Sequence, residues 1–438
     1  MILISSNLYS QKLPNYTLHS PSVTNLGKFI EYPVDMSTGV PNIEVPLYTI
    51  NTGNLTLPIS LSYHASGITV NQNASFVGLG WSLNAGGSIF RVIQDKADEE
   101  STGFLNIGNN LPDYNSIENN NFLLGAVGND SALELYFRGK DKEPDLFNIN
   151  VTGLNGQFCL NNSLKFVSTD YKPWLYDVNL TDNLIVVTNE NGIKYRFGRS
   201  IENEETFETS NVTSNTVYLE ASTNIEPPTP VQPNYTSSWH LTEIISANNK
   251  DTISFKYKSS YYSESKVSSF SRYIINEVGF YQTDAIGRNF DGLTRTHLNS
   301  NIHNTRVLDK ILFKNGAIEF STAFDRLDTQ QMSPPENGIP RITGFTLFDE
   351  NKKIIKKIVF ENSDYFNRTG GTGYSSLPVP EINKKSLKLD AIRFLDRNDN
   401  FINQYSFQYD QTPLPARNTV STDMWGYYNG KYSPTMIP

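Results

Sequence analysis

Phe76-Val77-Gly78-Leu79-Gly80-Trp81-Ser82-Leu83-Asn84-Ala85-Gly86-Gly87-Ser88-Ile89-Phe90-Arg91-Val92 is the stretch whose reading decides the fold. Just upstream, Leu55, Leu57, Ile59, Leu61 and Tyr63 place an apolar or aromatic side chain at every second position. Successive side chains of a strand point to opposite faces, so this comb marks a strand with one buried face. Gly78, Gly80, Gly86 and Gly87 then crowd together around Trp81 and Asn84, with Gly67 a short way upstream. Glycine admits backbone conformations and close approaches that a Cβ forbids. A bulky indole set among such residues predicts a tight, packed β-corner locking the first strands onto a sheet. Its structural residues are Gly78, Gly80, Trp81, Asn84, Gly86 and Gly87.

Working outward, the composition agrees. Among 438 residues there are 24 tyrosines and 25 phenylalanines, and charged residues make up only 18%. Aromatic residues favour strands. The polar remainder is led by Asn, Ser and Thr, which are turn formers. At about 150 residues per domain the length suits two or three units, although a single large β unit is also within range. The net charge of −9 repels phosphate backbones, and no basic patch is interleaved with aromatics, so nucleic acid is not an expected partner. The densest basic group, Lys352, Lys353, Lys356 and Lys357, reads as a solvated strand face.

Hairpins recur along the chain. Residues 184–197 read as two strands around Asn191-Gly192, and 239–257 as two strands around a turn at 248–251. Residues 307–320 turn at Asn315-Gly316, 342–360 at 349–351, and 387–409 at 396–400. Asn-Gly between alternating strands is a strong short-range hairpin signal. The irregular spacing excludes a fixed-period solenoid. The expected class is all-β: an extended antiparallel sheet of many hairpins, arranged as a sandwich or an open shell.

Three stretches break the pattern. Residues 98–130 read as a long surface loop, 262–305 carry few periodic signals, and 322–332 are the one weak helical candidate. Residues 200–238 are acidic, then rich in Ser, Thr and Pro, and read as a linker or loop. It would separate a β domain over 13–199 from a hairpin domain over 239–438. Residues 1–12 read as the remnant of a secretory signal. They lack its charged start and its apolar run of about 7–15 residues. No stretch reaches the roughly 18 apolar residues of a membrane helix, so no spanning segment is expected.

From residue 26 to residue 92 the chain resembles the N-terminal region of Bacteroidota Rhs/YD-repeat-like proteins. The resemblance rests on Leu26-Gly27-Lys28, on Ser37-Thr38-Gly39-Val40-Pro41-Asn42-Ile43, on Leu57-Pro58-Ile59-Ser60-Leu61-Ser62-Tyr63-His64-Ala65-Ser66-Gly67-Ile68 and on the glycine–tryptophan stretch. Trp239-His240-Leu241 ahead of 253–257 is similar to the family's "Trp-x-Leu…Ile-x-Phe-x-Tyr" hairpin. Asp423-Met424-Trp425-Gly426-Tyr427-Tyr428-Asn429-Gly430 is similar to its "Asp-x-Trp-Gly-Tyr-Tyr-Asn-Gly" stretch. Trp239, Trp425 and Gly426 therefore join the structural residues. The resemblance implies the leading part of a secreted or cell-surface polypeptide that begins a β-shell, enclosing or presenting a passenger or partner. The sequence stops after the second motif without a run of YD repeats. The expected partner is a continuing C-terminal shell, or another protein chain paired along a sheet edge. No toxin activity carries over, because the residues that would perform it are absent.

Chemistry-bearing residues are sparse. Gly78-Leu79-Gly80-Trp81-Ser82-Leu83 has no following helix to receive a phosphate. His19, His64, His240, His297 and His303 form no ligand spacing. The lone Cys159, between Phe158 and Leu160, excludes an internal disulfide and reads as an inert thiol. Asp95, Asp98, Glu99, Glu100 and Glu202, Glu204, Glu205 read as solvated loops, as does the turn at 396–400. No Gly-x-Ser-x-Gly elbow occurs. No catalytic, cofactor or metal residue is expected. Glycans remain a candidate ligand, through Trp174, Tyr176 and the aromatics of 425–428. A surface carbohydrate-binding or adhesive β-protein is thus the alternative reading, and a glycoside-acting enzyme a third.

Overall fold

The computed structural model describes residues 39–94, 96–107, 141, 143–161, 163, 165–218, 229–272, 294–330, 338–369, 379–419 and 421–430. Along 211–218, 229–234, 262–272 and 294–303 it gives the strand path alone. The chain divides into two units, Met1–Ile43 and Glu44–Pro438. Of the first, only residues 39–43 are described. The expected signal remnant at 1–12 and the motif at 26–28 lie outside the described residues.

The second unit is all-β. β1 (Ile43–Thr52), β2 (Leu55–Tyr63) and β3 (Trp81–Asn84) make a three-stranded sheet in that order. Leu55, Leu57, Ile59 and Leu61 of β2 are buried, as the comb requires. A second sheet joins 16 strands. It begins with β4 (Gly87–Val92), β5 (Leu146–Val151), β6 (Leu154–Leu160) and β7 (Phe166–Ser168), each antiparallel to the one before. β8 (Leu175–Asn179), β9 (Leu184–Thr188) and β10 (Lys194–Phe197) form a meander, and β10 pairs with β12 (Thr229–Ile245).

Two long hairpins follow. β11 (Phe207–Tyr218) pairs with β12, and β13 (Thr252–Arg272) pairs with β14 (Thr294–Phe313). β11 also pairs with β14, and β13 returns to pair with the base of β12. The pairings β12–β11–β14–β13–β12 therefore close on themselves. From β14 the sheet continues through β15 (Gly316–Ala323), β16 (Arg341–Asp349) and β17 (Ile354–Glu361). β18 (Asp364–Asn367) and β19 (Lys385–Lys388) form a separate ribbon. β20 (Ala391–Asp396) and β21 (Phe401–Ser406) then complete the large sheet, with β21 at its end.

All five expected hairpins form. Three of their turns share one device. In Asn189, Asp349 and Asp396 the side-chain oxygen accepts the N–H groups two and four residues on. The same residue's N–H donates to the carbonyl four residues on. The fourth residue of each loop, Gly192, Lys352 or Asp399, takes a left-handed φ of 75°, 61° or 66°. Asn and Asp side chains mimic a backbone turn in this way, and one left-handed residue matches the strand twist.

The expected linker at 200–238 is corrected. Residues 207–218 are β11 and 229–238 begin β12, so one sheet runs through the expected boundary between 13–199 and 239–438. A Ser/Thr-rich stretch reads as loop by composition, yet it forms strand where neighbours satisfy both backbone edges. β14 and β12 do this for β11. The stretch at 262–305 likewise contains the arms of the β13–β14 hairpin. Within 322–332 no described residue is helical: β15 ends at Ala323 and 324–330 are irregular. The start of 98–130 holds turns and a four-residue helix, Phe104–Ile107; 108–130 lie outside the described residues.

Candidate functional site

The glycine–tryptophan corner is built as a close approach of chain to chain. At Gly80, φ is 79° and a Cβ would stand 2.6 Å from the Tyr63 ring. At Gly87 a Cβ would stand 2.2 Å from the Asn150 carbonyl oxygen, so β4 meets β5 without room for a side chain. Trp81 is buried between Tyr63 and Phe407, with ring centroids 5.1 and 4.4 Å away. Its Nε1 donates to the Tyr409 hydroxyl at 2.8 Å. Asn84 Nδ2 donates to Ser60 Oγ at 3.3 Å. Gly78 lies against Leu389 and Gly86 against the Phe255 ring.

The irregular chain at 70–75 is held by three buried arginines. Arg326 donates to the carbonyls of Ala74 and Ser75 and grips Asp328 with Nε and Nη2, each at 2.9 Å. Arg368 donates to the carbonyls of Val70 and Gln72, and Arg417 to Asn73 Oδ1. A guanidinium satisfies several buried carbonyls at once, which a loop without regular structure requires. Burial, then repulsion from Arg417, lowers the Arg368 pKa to about 10.

Trp239 is fully buried. It lies against Phe147, with the Arg91 guanidinium 5.4 Å from its ring, and its Nε1 donates to Asn183 Oδ1 at 3.1 Å. Trp425, in contrast, is 73% exposed. Its neighbour Gly426 accepts the Val70 N–H and occupies the left-handed position of a turn. In that turn Asp423 Oδ1 accepts the N–H groups of Trp425 and Tyr427, the device already seen in the hairpins.

Beside the corner lies a cleft of about 270 Å³. Gly86, Gly87 and Ser88 line one side; His240, Tyr257 and Arg306 line another. His240 Nε2 donates to Glu208 Oε1 at 2.8 Å, and the Thr305 hydroxyl and the Arg306 N–H donate to the same oxygen. Burial pushes the Glu208 pKa up, but the His240 ring and these hydrogen bonds outweigh it and bring it to about 2. Tyr257 Oη donates to the Leu241 carbonyl, and its burial raises its pKa far above the usual range. The cleft thus joins Gly86 and Gly87 to His240, the neighbour of Trp239. Trp425 and Gly426 take no part in it.

A second ionisable cluster escaped the sequence reading. Asp98, expected on a solvated loop, is fully buried, as are Asp141 and Asp145. Asp98 Oδ1 accepts the Asp145 N–H, and Asp145 Oδ2 accepts the Asp98 N–H. Arg91 pairs with Glu99 at 2.6 Å and approaches Asp145 at 3.5 Å. Burial, reinforced by Asp145, pushes the Asp98 pKa up to about 8; burial likewise lifts Asp145 to about 6. The partners lie 47 residues apart in sequence, so no local pattern signals them. Among the described residues no group of three His, Cys, Asp or Glu side chains is placed to hold a metal ion.

Several of the remaining candidates have structural partners. His64 Nε2 meets Ser66 Oγ. The side chains of His19, His297 and His303 lie outside the described residues, as does Asp95. Cys159 is half-buried, and burial followed by the Asp98 charge raises its thiol pKa. Trp174 donates to Glu190, and Tyr176 meets Ser168. Glu202 and Glu204 both pair with Lys256, and Glu205 pairs with Arg199. No described helix is long and apolar enough to cross a membrane. No protein-family model matches this chain, and no curated protein matches its sequence.

Proposed function

We propose that this chain is a non-enzymatic structural and interaction module of an exported, Rhs-like protein, a β scaffold that encloses or presents a passenger or partner. The observation that carries the reading is β21. This strand ends the large sheet, and all six of its residues are exposed, including Phe401, Ile402 and Tyr405 at 56%, 53% and 42%. Among the described residues no strand pairs with its outer edge. An open edge with apolar side chains is a template for an added strand, whose main chain supplies the hydrogen bonds. The scaffold's work is then mechanical: buried arginines and the glycine corner fix the sheet, and β21 receives another strand. An edge-blocking variant, Ile402→Lys with Tyr405→Lys, tests this. It should abolish assembly while leaving β content unchanged; unchanged assembly would contradict the reading.

The alternative, a surface carbohydrate-binding or adhesive protein, draws on Met424, Trp425 and Tyr428, which stand exposed on one turn. A flat indole face stacks on sugar rings. A glycan array without signal above background would remove this alternative.

A further inference from the structure

Three arginines of this fold can be compared by what their Nε/Nη2 edge holds. Arg326 uses it to grip Asp328, and Arg341 uses it to grip Asp325 at 2.7 and 2.8 Å. Among the described residues Arg306 holds no carboxylate on that edge. Its Nη1 donates to Ser259 Oγ and Asn304 Oδ1, which fixes the plane of the guanidinium. Its Nε is buried without a partner among the described residues. Among the described residues no carboxylate lies within ion-pairing distance of it; Glu208 takes only the Arg306 main-chain N–H. A buried donor left unpaired is costly, and an oriented guanidinium edge matches a carboxylate with two parallel hydrogen bonds.

Arg306 lines the cleft beside Gly86 and Gly87, whose other walls include Phe76, Leu83, Leu308 and Ile342. Glu208 is already engaged by His240 and Thr305, so Arg306 is the one charge facing the cleft without an ionic counterpart among the described residues. The volume sits just below the small end of ligand clefts, about 300 Å³ upward. We propose that this cleft binds a small carboxylate with an apolar body, the carboxylate on the guanidinium of Arg306 and the apolar part against Leu83 and Leu308. A free carboxylic acid and the C-terminal residue of a polypeptide share this chemistry.

Calorimetric titration of the full chain tests it with four probes: octanoate, octylamine, N-acetyl-glycyl-leucine and the amide of that peptide. The proposal expects at least one of the two carboxylates to bind and neither octylamine nor the amide to do so. Binding of octanoate alone marks a free acid as the ligand; binding of the peptide alone marks a chain terminus. Arg306→Gln should weaken binding at least about tenfold, and Arg306→Lys, a point charge without the fork, less so. Failure of both carboxylates on the wild type overturns the proposal. Equal binding of the amide does so too, as does undiminished binding by a folded Arg306→Gln.

Discussion

The indole N–H of Trp81 donates to the hydroxyl of Tyr409, which in turn donates to the Leu389 carbonyl. The first pair is separated by 328 residues. This relay ties the glycine corner to the segment that follows β21, the end strand of the large sheet. Burial raises the Tyr409 pKa well above the usual range, in keeping with a hydroxyl that stays protonated and donates. Phe407 packs on the same indole at a tilt of 47°, beside the relay.

Trp81→Phe keeps an aromatic ring but removes the donor and part of the packing. It should destabilise the fold by about 2–3 kcal/mol. Urea unfolding followed by tyrosine fluorescence checks this; a loss below about 0.5 kcal/mol would mean that the relay does not hold the corner.

Two glycines should respond differently to alanine. Gly87 has a carbonyl oxygen where the Cβ would go, whereas Gly153, with φ of 83°, has nothing within 4 Å. Gly153→Ala should cost about 1–2 kcal/mol, the left-handed strain alone. Gly87→Ala must also part β4 from β5, and should cost about 3 kcal/mol or more. Equal melting temperatures for the two variants would contradict the close approach.

The buried acids predict a pH dependence of definite sign. An acid whose pKa rises on folding takes up a proton as the chain folds, so its stabilising contribution is present at low pH and lost as pH rises. Asp145, at about 6, and Asp98, at about 8, should therefore make the protein progressively less stable between about pH 4 and pH 8. Asp98→Asn keeps the acceptor for the Asp145 N–H and removes the titration. Its melting temperature should vary less over that window and exceed the wild type's at pH 9. Glu208, held at about 2, acts in the opposite direction and only in acid: its contribution is present above the ordinary carboxylate range and lost as pH falls toward 2.

The repeated turn is testable at Asp396, whose carboxylate accepts the N–H groups of Asn398 and Asn400. Asp396→Ala should lower the denaturation midpoint, and Asp396→Asn should lose little, since the amide oxygen can accept the same bonds. Chemical denaturation of the two variants separates the outcomes.

What the sequence disclosed is what is local. The alternation of Leu55 to Leu61 and the Asn/Asp turns are written within a few residues, and their strands and hairpins follow. Trp81 and Trp239 declare themselves by size and by the glycines or strand partners around them. The arginine clamp on residues 70–75 does not, because Arg326, Arg368 and Arg417 reach it from more than 250 positions away. Nor do Asp98 and Asp145, whose burial turns a run of acids into a buried cluster. β11 was hidden for another reason: a Ser/Thr-rich strand owes its form to hydrogen-bonding neighbours on both edges, and its own residues resemble loop. The cleft combines both cases, with Gly86 and Gly87 conspicuous and Arg306 invisible until the strands bring it near.

The central claim is that β21 is an edge made to receive another strand. Mass photometry and sedimentation of the full chain at rising concentration test it most directly, with Ile402→Lys/Tyr405→Lys compared against a control, Tyr171→Lys, at a side chain that is 93% exposed away from this edge. The account predicts species heavier than 49.4 kDa for the wild type and the control, and a single 49.4 kDa species with unchanged circular dichroism for the edge variant. Equal masses for all three proteins at every concentration would contradict it.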